Sequence, residues 1–302
     1  MTSALSVAVN ILGPVFLIIG LVVILNQRFS LDVRTVSRIV LYLFSPCLAF
    51  NTVARTELRI EELGLILAMA VGSSLIMTLI GWGLARLLGF GRTLESAFLL
   101  SIAIANAGNY GMPVNEFAFG PPGLERAVLF NVAMNVVAST LGIYLASRGR
   151  ASVRRSLLNI LALPMIYAIV LGLLFNVQQW ALPLPVQRVV DLLSQATVPC
   201  MLLVLGLQLS RTSLKGKGGP LVLAILARLV IAPVVGFALS GWLGLTATTR
   251  LFAIVETSMP AAVVSTLMAQ EFGSDAEFVS SVTLGSTLAS LISLSILLSI
   301  LM

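Results

Sequence analysis

The chain contains no histidine, only two cysteines and only twelve acidic residues among 302. Without imidazole there is no His-based acid–base relay and no His-ligated metal centre. Cys47 and Cys200 both lie inside apolar runs, where a free cysteine behaves as a small hydrophobe, so neither a disulfide nor a redox role is expected. Charge is scarce altogether: Asp, Glu, Lys and Arg make up 10% of the chain against 58% hydrophobic residues, and the mean hydropathy is +1.06. That balance excludes an ordinary soluble domain. The alternating ten-residue pattern of a transmembrane barrel is missing, so the spans are expected to be helices. The first apolar run, 5–25, lacks a basic leader and a small-residue cleavage site, and is expected to be a retained span.

What is present is a series of apolar runs of about 20 residues, the length that crosses a hydrocarbon core of about 30 Å. They predict an all-α integral membrane protein with ten transmembrane helices, near 5–26, 36–54, 63–88, 94–119, 124–147, 157–177, 187–208, 219–243, 248–270 and 277–301. Taking the loops alternately, one side collects Arg28, Arg34, Arg38, Arg86, Arg92, Arg148, Arg150, Arg154, Arg155, Arg211, Lys215 and Lys217. The other side has Arg55, Arg59, Arg126, Arg188 and Arg250, and Arg228 lies within span eight. The positive-inside rule makes the first side cytoplasmic and both termini non-cytoplasmic. The net charge of +6 is then topogenic, and no nucleic-acid partner is expected.

An internal repeat follows from ordered matches between the two halves. Ser45-Pro46-Cys47-Leu48 pairs with Val198-Pro199-Cys200-Met201, and Gly81-Trp82-Gly83-Leu84 with Gly241-Trp242-Leu243-Gly244. Gly111-Met112-Pro113 with Phe119-Gly120 pairs with Ser258-Met259-Pro260 with Phe272-Gly273. With five spans in each half the repeats must be inverted in the membrane. The expected organisation is a first repeat over 1–147, a basic cytoplasmic linker over 148–156 and a second repeat over 157–302.

The run Asn106-Ala107-Gly108-Asn109-Tyr110-Gly111-Met112-Pro113 interrupts span four. Pro113 removes one helical donor and displaces the carbonyl of Asn109, and unpaired backbone in a membrane persists only where protein or a wet cavity receives it. By the same reasoning Pro260 is expected to free the carbonyl of Glu256. Helices 4 and 9 are therefore expected to be broken and to meet near the midplane. Asn106, Asn109, Gly111, Pro113, Val114, Pro260 and Ala261 are the candidates for binding substrate, the half-helix N-termini near Val114 and Ala261 favouring an anion. Glu256 is the one carboxylate deep in a predicted span, which makes it a candidate proton carrier or Na⁺ ligand; its alternative is an ion pair with Arg228. Asn109, Thr257 and Ser258 are candidate partners for the coupling ion.

Arg228 has three readings: a fork for a substrate carboxylate, the partner of Glu256, or a side chain snorkelling to the surface. Asn131 and Asn135 share a helical face, with helix packing an alternative to ligand contact for both. Asn51 and Gln208 are weaker candidates. The Ser and Thr residues of span ten, Thr283, Ser286, Thr287 and Ser290 among them, read as packing positions, and Trp82, Trp180 and Trp242 as interface anchors.

The span-four run, its Glu256-Thr257-Ser258-Met259-Pro260 counterpart and the five-plus-five repeat resemble the auxin efflux carrier family, in the compact size of its bacterial members described as malonate, malate or oxalate permeases. The resemblance implies the fold shared with bile-acid sodium symporters and sodium/proton antiporters: a scaffold of spans 1, 2, 6 and 7, a mobile unit of spans 3–5 and 8–10, elevator-type alternating access and a homodimer. It places the crossover prolines on Pro113 and Pro260 and the crossover amides on Asn106 and Asn109, and by analogy with the symporters puts Glu256 at a sodium site. Ala107-Gly108 departs from the plant carriers' motif and their long cytoplasmic loop is missing, which points away from auxin. The expected activity is secondary transport of a small mono- or dicarboxylate across the cytoplasmic (inner) membrane, coupled to H⁺ or Na⁺ or driven by membrane potential, with no cofactor and membrane lipid as surroundings. The alternatives are a passive uniporter or channel and an intramembrane lipid-modifying enzyme; the latter lacks a His or paired carboxylates to work with.

Overall fold

The computed structural model describes residues 3–147, 158, 161–212, 214 and 218–302. The expected linker 148–156, the beginning of span six, and Lys215 and Lys217 lie outside the described residues. The described residues form twelve helices and no strand: α1 Ala4–Phe29, α2 Val33–Ala54, α3 Ile60–Leu87, α4 Arg92–Ala103, α5 Met112–Phe119, α6 Pro121–Ala146, α7 Pro164–Val177, α8 Leu184–Ser210, α9 Gly218–Trp242, α10 Ala247–Thr257, α11 Val263–Phe272 and α12 Ala276–Leu301. Seven are long and apolar enough to cross a membrane, namely α1, α2, α3, α6, α8, α9 and α12, and α7 is apolar but shorter. The regions of spans four and nine are each split in two, α4 with α5 and α10 with α11, and none of these pieces crosses alone.

Proline sets the shape of several helices. Wide five-residue turns occupy Ala8–Leu12, Val40–Phe44, Ala107–Gly111 and Ala227–Ile231, each ending two residues before a proline: Pro14, Pro46, Pro113 and Pro233. A proline ring collides with the carbonyl four residues back and supplies no N–H. Letting the turn widen, so that Ser45 N–H bonds to Val40 O, Met112 N–H to Ala107 O and Ala232 N–H to Ala227 O, keeps the chain helical past the ring. Pro199 sits inside α8 without such a turn.

The helices pack in two groups. In one, α7 lies along α2 and α8 packs on both α1 and α2; in the other, α3 packs on α4, α6 and α9, α10 on α9 and α6, and α12 on α11 and α4. The breaks meet in the middle of the second group. Asn106 N–H donates to Pro260 O at 2.9 Å and Ala262 N–H to Ile104 O at 3.0 Å, an antiparallel pairing of Ala105 with Ala261. Two extended stretches buried in protein thus satisfy each other's backbone, as a low-dielectric interior requires.

Local geometry recurs at a separation of 155 residues, which is not the pairing expected from the sequence. The turn closing α3 bonds Leu88 to Leu84, Gly89 to Arg86 and Phe90 to Ala85, and that closing α9 bonds Leu243 to Leu239, Gly244 to Gly241 and Leu245 to Ser240. Gly89 and Gly244 hold φ of 66° in these turns, a conformation that favours glycine. Gly81 presses on Leu99 and Ile102, and Gly236 on Ile254 and Thr257. All these pairs stand 155 residues apart, so Gly81 matches Gly236 and Trp82 has no counterpart in Trp242. Likewise Pro113 occupies the first turn of α5, whereas Pro260 lies in the extended stretch before α11; the two prolines are not equivalent.

Candidate functional site

The sequence Asn106–Gly111 builds the site residue by residue. Asn106 pairs its N–H with Pro260, and its carbonyl accepts from Gly111 N–H at 2.9 Å. A Cβ on Gly108 would stand 2.9 Å from Asn131 Oδ1, and one on Gly111 would stand 2.7 Å from Glu256 Oε1. Both positions need glycine for close approach. Tyr110 is buried, with its hydroxyl 2.8 Å from that of Ser290 and its ring edge-on to Phe16, so the turn is anchored to α12 and α1.

In front of the crossover lies a cavity of about 190 Å³. Asn106, Asn109, Asn131, Asn135 and Gln208 supply its polar wall together with Ser37 and Ser45, and Met134, Met165 and Met201 part of its apolar wall. No Asp, Glu, Lys or Arg lines it among the described residues. Asn135 donates to Asn131 O at 2.9 Å, while Asn106 Nδ2 and Gln208 Oε1 are buried without a partner. Such unpaired buried amides carry a desolvation cost of about 1–3 kcal/mol each that a ligand would relieve. The α11 helix begins here: Ala262, Val263 and Val264 reach the cavity and no side chain caps the helix, so its first N–H groups present the positive end of the dipole.

Behind the crossover, out of the cavity, is Glu256, fully buried. Its Oε1 accepts from Asn115 Nδ2 at 2.7 Å, and Asn115 also donates to Gly111 O at 3.1 Å. Glu256 Oε2, Asn115 Oδ1 and Thr257 Oγ1 have no partner. Among the described residues no three His, Cys, Asp or Glu side chains gather, so any cation held here would find one acidic ligand and otherwise neutral oxygens, a donor set suited to a monovalent ion. The Glu256 carbonyl is not freed by Pro260: it accepts from Met259 N–H at 3.3 Å. At the 155-residue register the counterpart of Glu256 is buried Ser101, whose hydroxyl bonds to its own helix, and not Asn109.

Arg228 neither reaches the surface nor pairs with Glu256. It is buried, joins no ion pair among the described residues and does not line the cavity. Its Nε and Nη2 donate to Met259 O at 3.0 and 2.6 Å, Nη2 also to Thr257 O at 2.8 Å, and Nη1 to Ile102 O at 2.9 Å. Ile102 and Thr257 stand in the last turns of α4 and α10, where orphan carbonyls and the negative dipole end collect. The guanidinium fork therefore clamps both half-helices.

Of the remaining candidates, Asn106, Asn109 and Asn135 come together at the cavity, while Gly111, Pro113, Val114, Pro260 and Ala261 lie outside its wall. Ser258 donates its hydroxyl to Ile254 O at 2.7 Å and Ala261 N–H bonds to Ser286 Oγ at 3.1 Å. Asn115 went unnoticed in the sequence; its place one helical turn after Gly111 was the available signal.

At the far end from the cavity, Arg126 bonds to Glu62 at 3.2 Å and Thr249 at 3.1 Å and lies over the Phe252 ring. The Thr249 hydroxyl also meets Glu62, and the Thr56 hydroxyl meets Glu125.

Compared with known proteins, the chain matches the family model described as "Membrane transport protein" over residues 14–155 and 146–298. It is 29% identical over 265 residues to an uncharacterized transporter of Methanothermobacter thermautotrophicus, covering 87% of each chain. A second uncharacterized transporter, from Methanocaldococcus jannaschii, is 26% identical over 260 residues, covering 82% of this chain and 83% of the other.

Proposed function

Because the chain belongs to the auxin efflux carrier family of membrane transport proteins, we propose that it is a secondary carrier of a small organic anion, a mono- or dicarboxylate, coupled to H⁺ or Na⁺ through Glu256. The observation that carries this reading is the cavity lined by carboxamides and, among the described residues, free of charged side chains, with a buried carboxylate on the other side of the same crossover. Amides can donate to a carboxylate, the uncapped start of α11 adds backbone donors and dipole, and about 190 Å³ is room for a compact aliphatic acid. A proton or Na⁺ at Glu256 leaves that buried site neutral, which avoids the cost of an isolated charge. Substrate and ion would then load the two faces of one mobile element.

The matched turns of α3 and α9 and the matched glycines support two five-span repeats, and we place these, inverted, in the inner membrane. The grouping of α1, α2, α7 and α8 apart from the other helices supports a scaffold and a moving unit. The cavity lies where α2 and α7 begin and α8 ends, the side assigned as cytoplasmic by its basic loops, and the Glu62–Arg126–Thr249 contacts close the opposite end. This arrangement supports an inward-open carrier over a continuous channel.

Uptake of labelled malonate, malate and oxalate into proteoliposomes tests the reading. We expect at least one to accumulate under an imposed proton or Na⁺ gradient, Asn109→Ala to raise KM, and Glu256→Gln to abolish gradient dependence while leaving substrate binding. If Glu256→Gln kept the full pH and Na⁺ dependence, the coupling role would be wrong.

A further inference from the structure

A second and larger space, about 450 Å³, lies outside the carrier site, between the end of α3, the start of α4 and the end of α6. Arg86 and Arg92 line it together with Trp82, Tyr144, Leu79 and Glu95. Leu79, Trp82 and Tyr144 are 67%, 49% and 56% exposed, so the groove opens sideways, toward the bilayer, at the level of the basic loops. Among the described residues neither guanidinium has an ion-pair or hydrogen-bond partner; Arg86 rests over the Trp82 ring at 5.3 Å, and no ion pair joins Arg86 or Arg92 to Glu95. The α4 helix also begins here, at Arg92, with no side-chain cap.

Two unpaired arginines, an amphipathic ring at interface depth and apolar wall below them form a complementary surface for one kind of molecule. We propose that this groove binds a single anionic phospholipid of the leaflet on the basic side, its phosphate held by Arg86 and Arg92 and its acyl chain lying along Leu79 beside the Trp82 ring. Arginine forks suit phosphate oxygens, and basic pockets between helices on this side of a membrane recognise acidic headgroups. A zwitterionic lipid would meet the same apolar wall, but its own cation would face the arginines. Glu95 offsets one of the two charges, so the groove carries one net positive charge toward the headgroup.

The test uses the full chain with Trp180→Phe and Trp242→Phe, which leaves Trp82 as the sole tryptophan. It is reconstituted in vesicles of phosphatidylcholine with a minor share of phosphatidylglycerol, and one lipid or the other carries brominated chains. Brominated phosphatidylglycerol should quench Trp82 about fivefold more per mole than brominated phosphatidylcholine, the enrichment expected of one net charge near the surface. Arg86→Gln with Arg92→Gln should reduce that ratio to random mixing, and Arg86→Lys with Arg92→Lys should keep most of it. Equal quenching by the two lipids, or an unchanged ratio in the glutamine pair, overturns the proposal. Loss of the excess on adding inorganic phosphate at constant ionic strength overturns it too, by showing a site for the free ion. If the glutamine pair fails to fold, salt decides: an excess that survives high ionic strength is not held by these charges.

Discussion

Gly111 and Glu256 share one space: a Cβ on Gly111 would stand 2.8 Å from the carboxylate carbon of Glu256. The glycine of the wide turn is thus the wall against which the buried acid rests. Gly111→Ala should cost roughly 1–3 kcal/mol as an overpacked site, read as a lowered unfolding midpoint in detergent. Combining it with Glu256→Ala should recover much of that loss, since the two substitutions act on one contact and are not additive.

Arg228 offers a sharper contrast. Arg228→Lys keeps the charge but cannot span the carbonyls of Ile102, Thr257 and Met259, and a compact ammonium is no substitute for a planar fork. A loss of roughly 3–5 kcal/mol is expected, comparable to breaking a buried charged network, with Arg228→Met no less damaging. A lysine variant as stable as the parent would show that the clamp on α4 and α10 contributes little.

The far-end contacts predict a change of access. Arg126→Ala removes the bonds to Glu62 and Thr249, and a loss of about 1.4 kcal/mol from the closed end would shift the open population tenfold. A cysteine placed at Asn109, in a Cys47→Ser and Cys200→Ser background, should then react several-fold faster with an impermeant thiol reagent applied from that end, measured by mass spectrometry.

Asp32 gives a pH dependence away from the membrane. It caps α2, accepting from the Thr35 hydroxyl at 2.6 Å and from the Arg34 and Thr35 N–H groups. The Thr35 hydroxyl first, then those N–H groups, hold its pKa below the ordinary 3.8. A depressed folded value means the cap contributes above the unfolded pKa and is lost as pH falls through the folded one. Protection of the Arg34 and Thr35 amides against exchange, relative to their intrinsic rates, should fall over that acid range, and Asp32→Asn should flatten the pH response.

The cap of α2 at Asp32 was a signal the sequence carried, since an Asp before a helix start has its own mechanism, but the expected span began later, at 36. The apolar runs made the seven membrane-length helices legible, since a membrane demands length and hydropathy from each span separately. The break at Asn106–Pro113 showed itself too, because Gly, Asn and Pro have no cheap place in a plain span. Pairing between distant segments was less legible. The likeness of the turns at Gly89 and Gly244 and of the close contacts at Gly81 and Gly236 is a matter of backbone and packing, which the sequence matches of Pro113 with Pro260 and Trp82 with Trp242 do not follow.

Composition and pattern by themselves determined that this chain is a multi-helix membrane protein, where it is interrupted, and that Glu256 is exceptional. Only the tertiary structure decided that Asn106, Asn109, Asn131, Asn135 and Gln208 share one cavity, that Glu256 lies behind it against Asn115 and Gly111, and that Arg228 clamps carbonyls instead of a carboxylate. The reason is physical: a polar side chain buried in a membrane protein must find a partner, but which partner depends on the helix crossing, and the crossing is set by contacts more than a hundred residues apart.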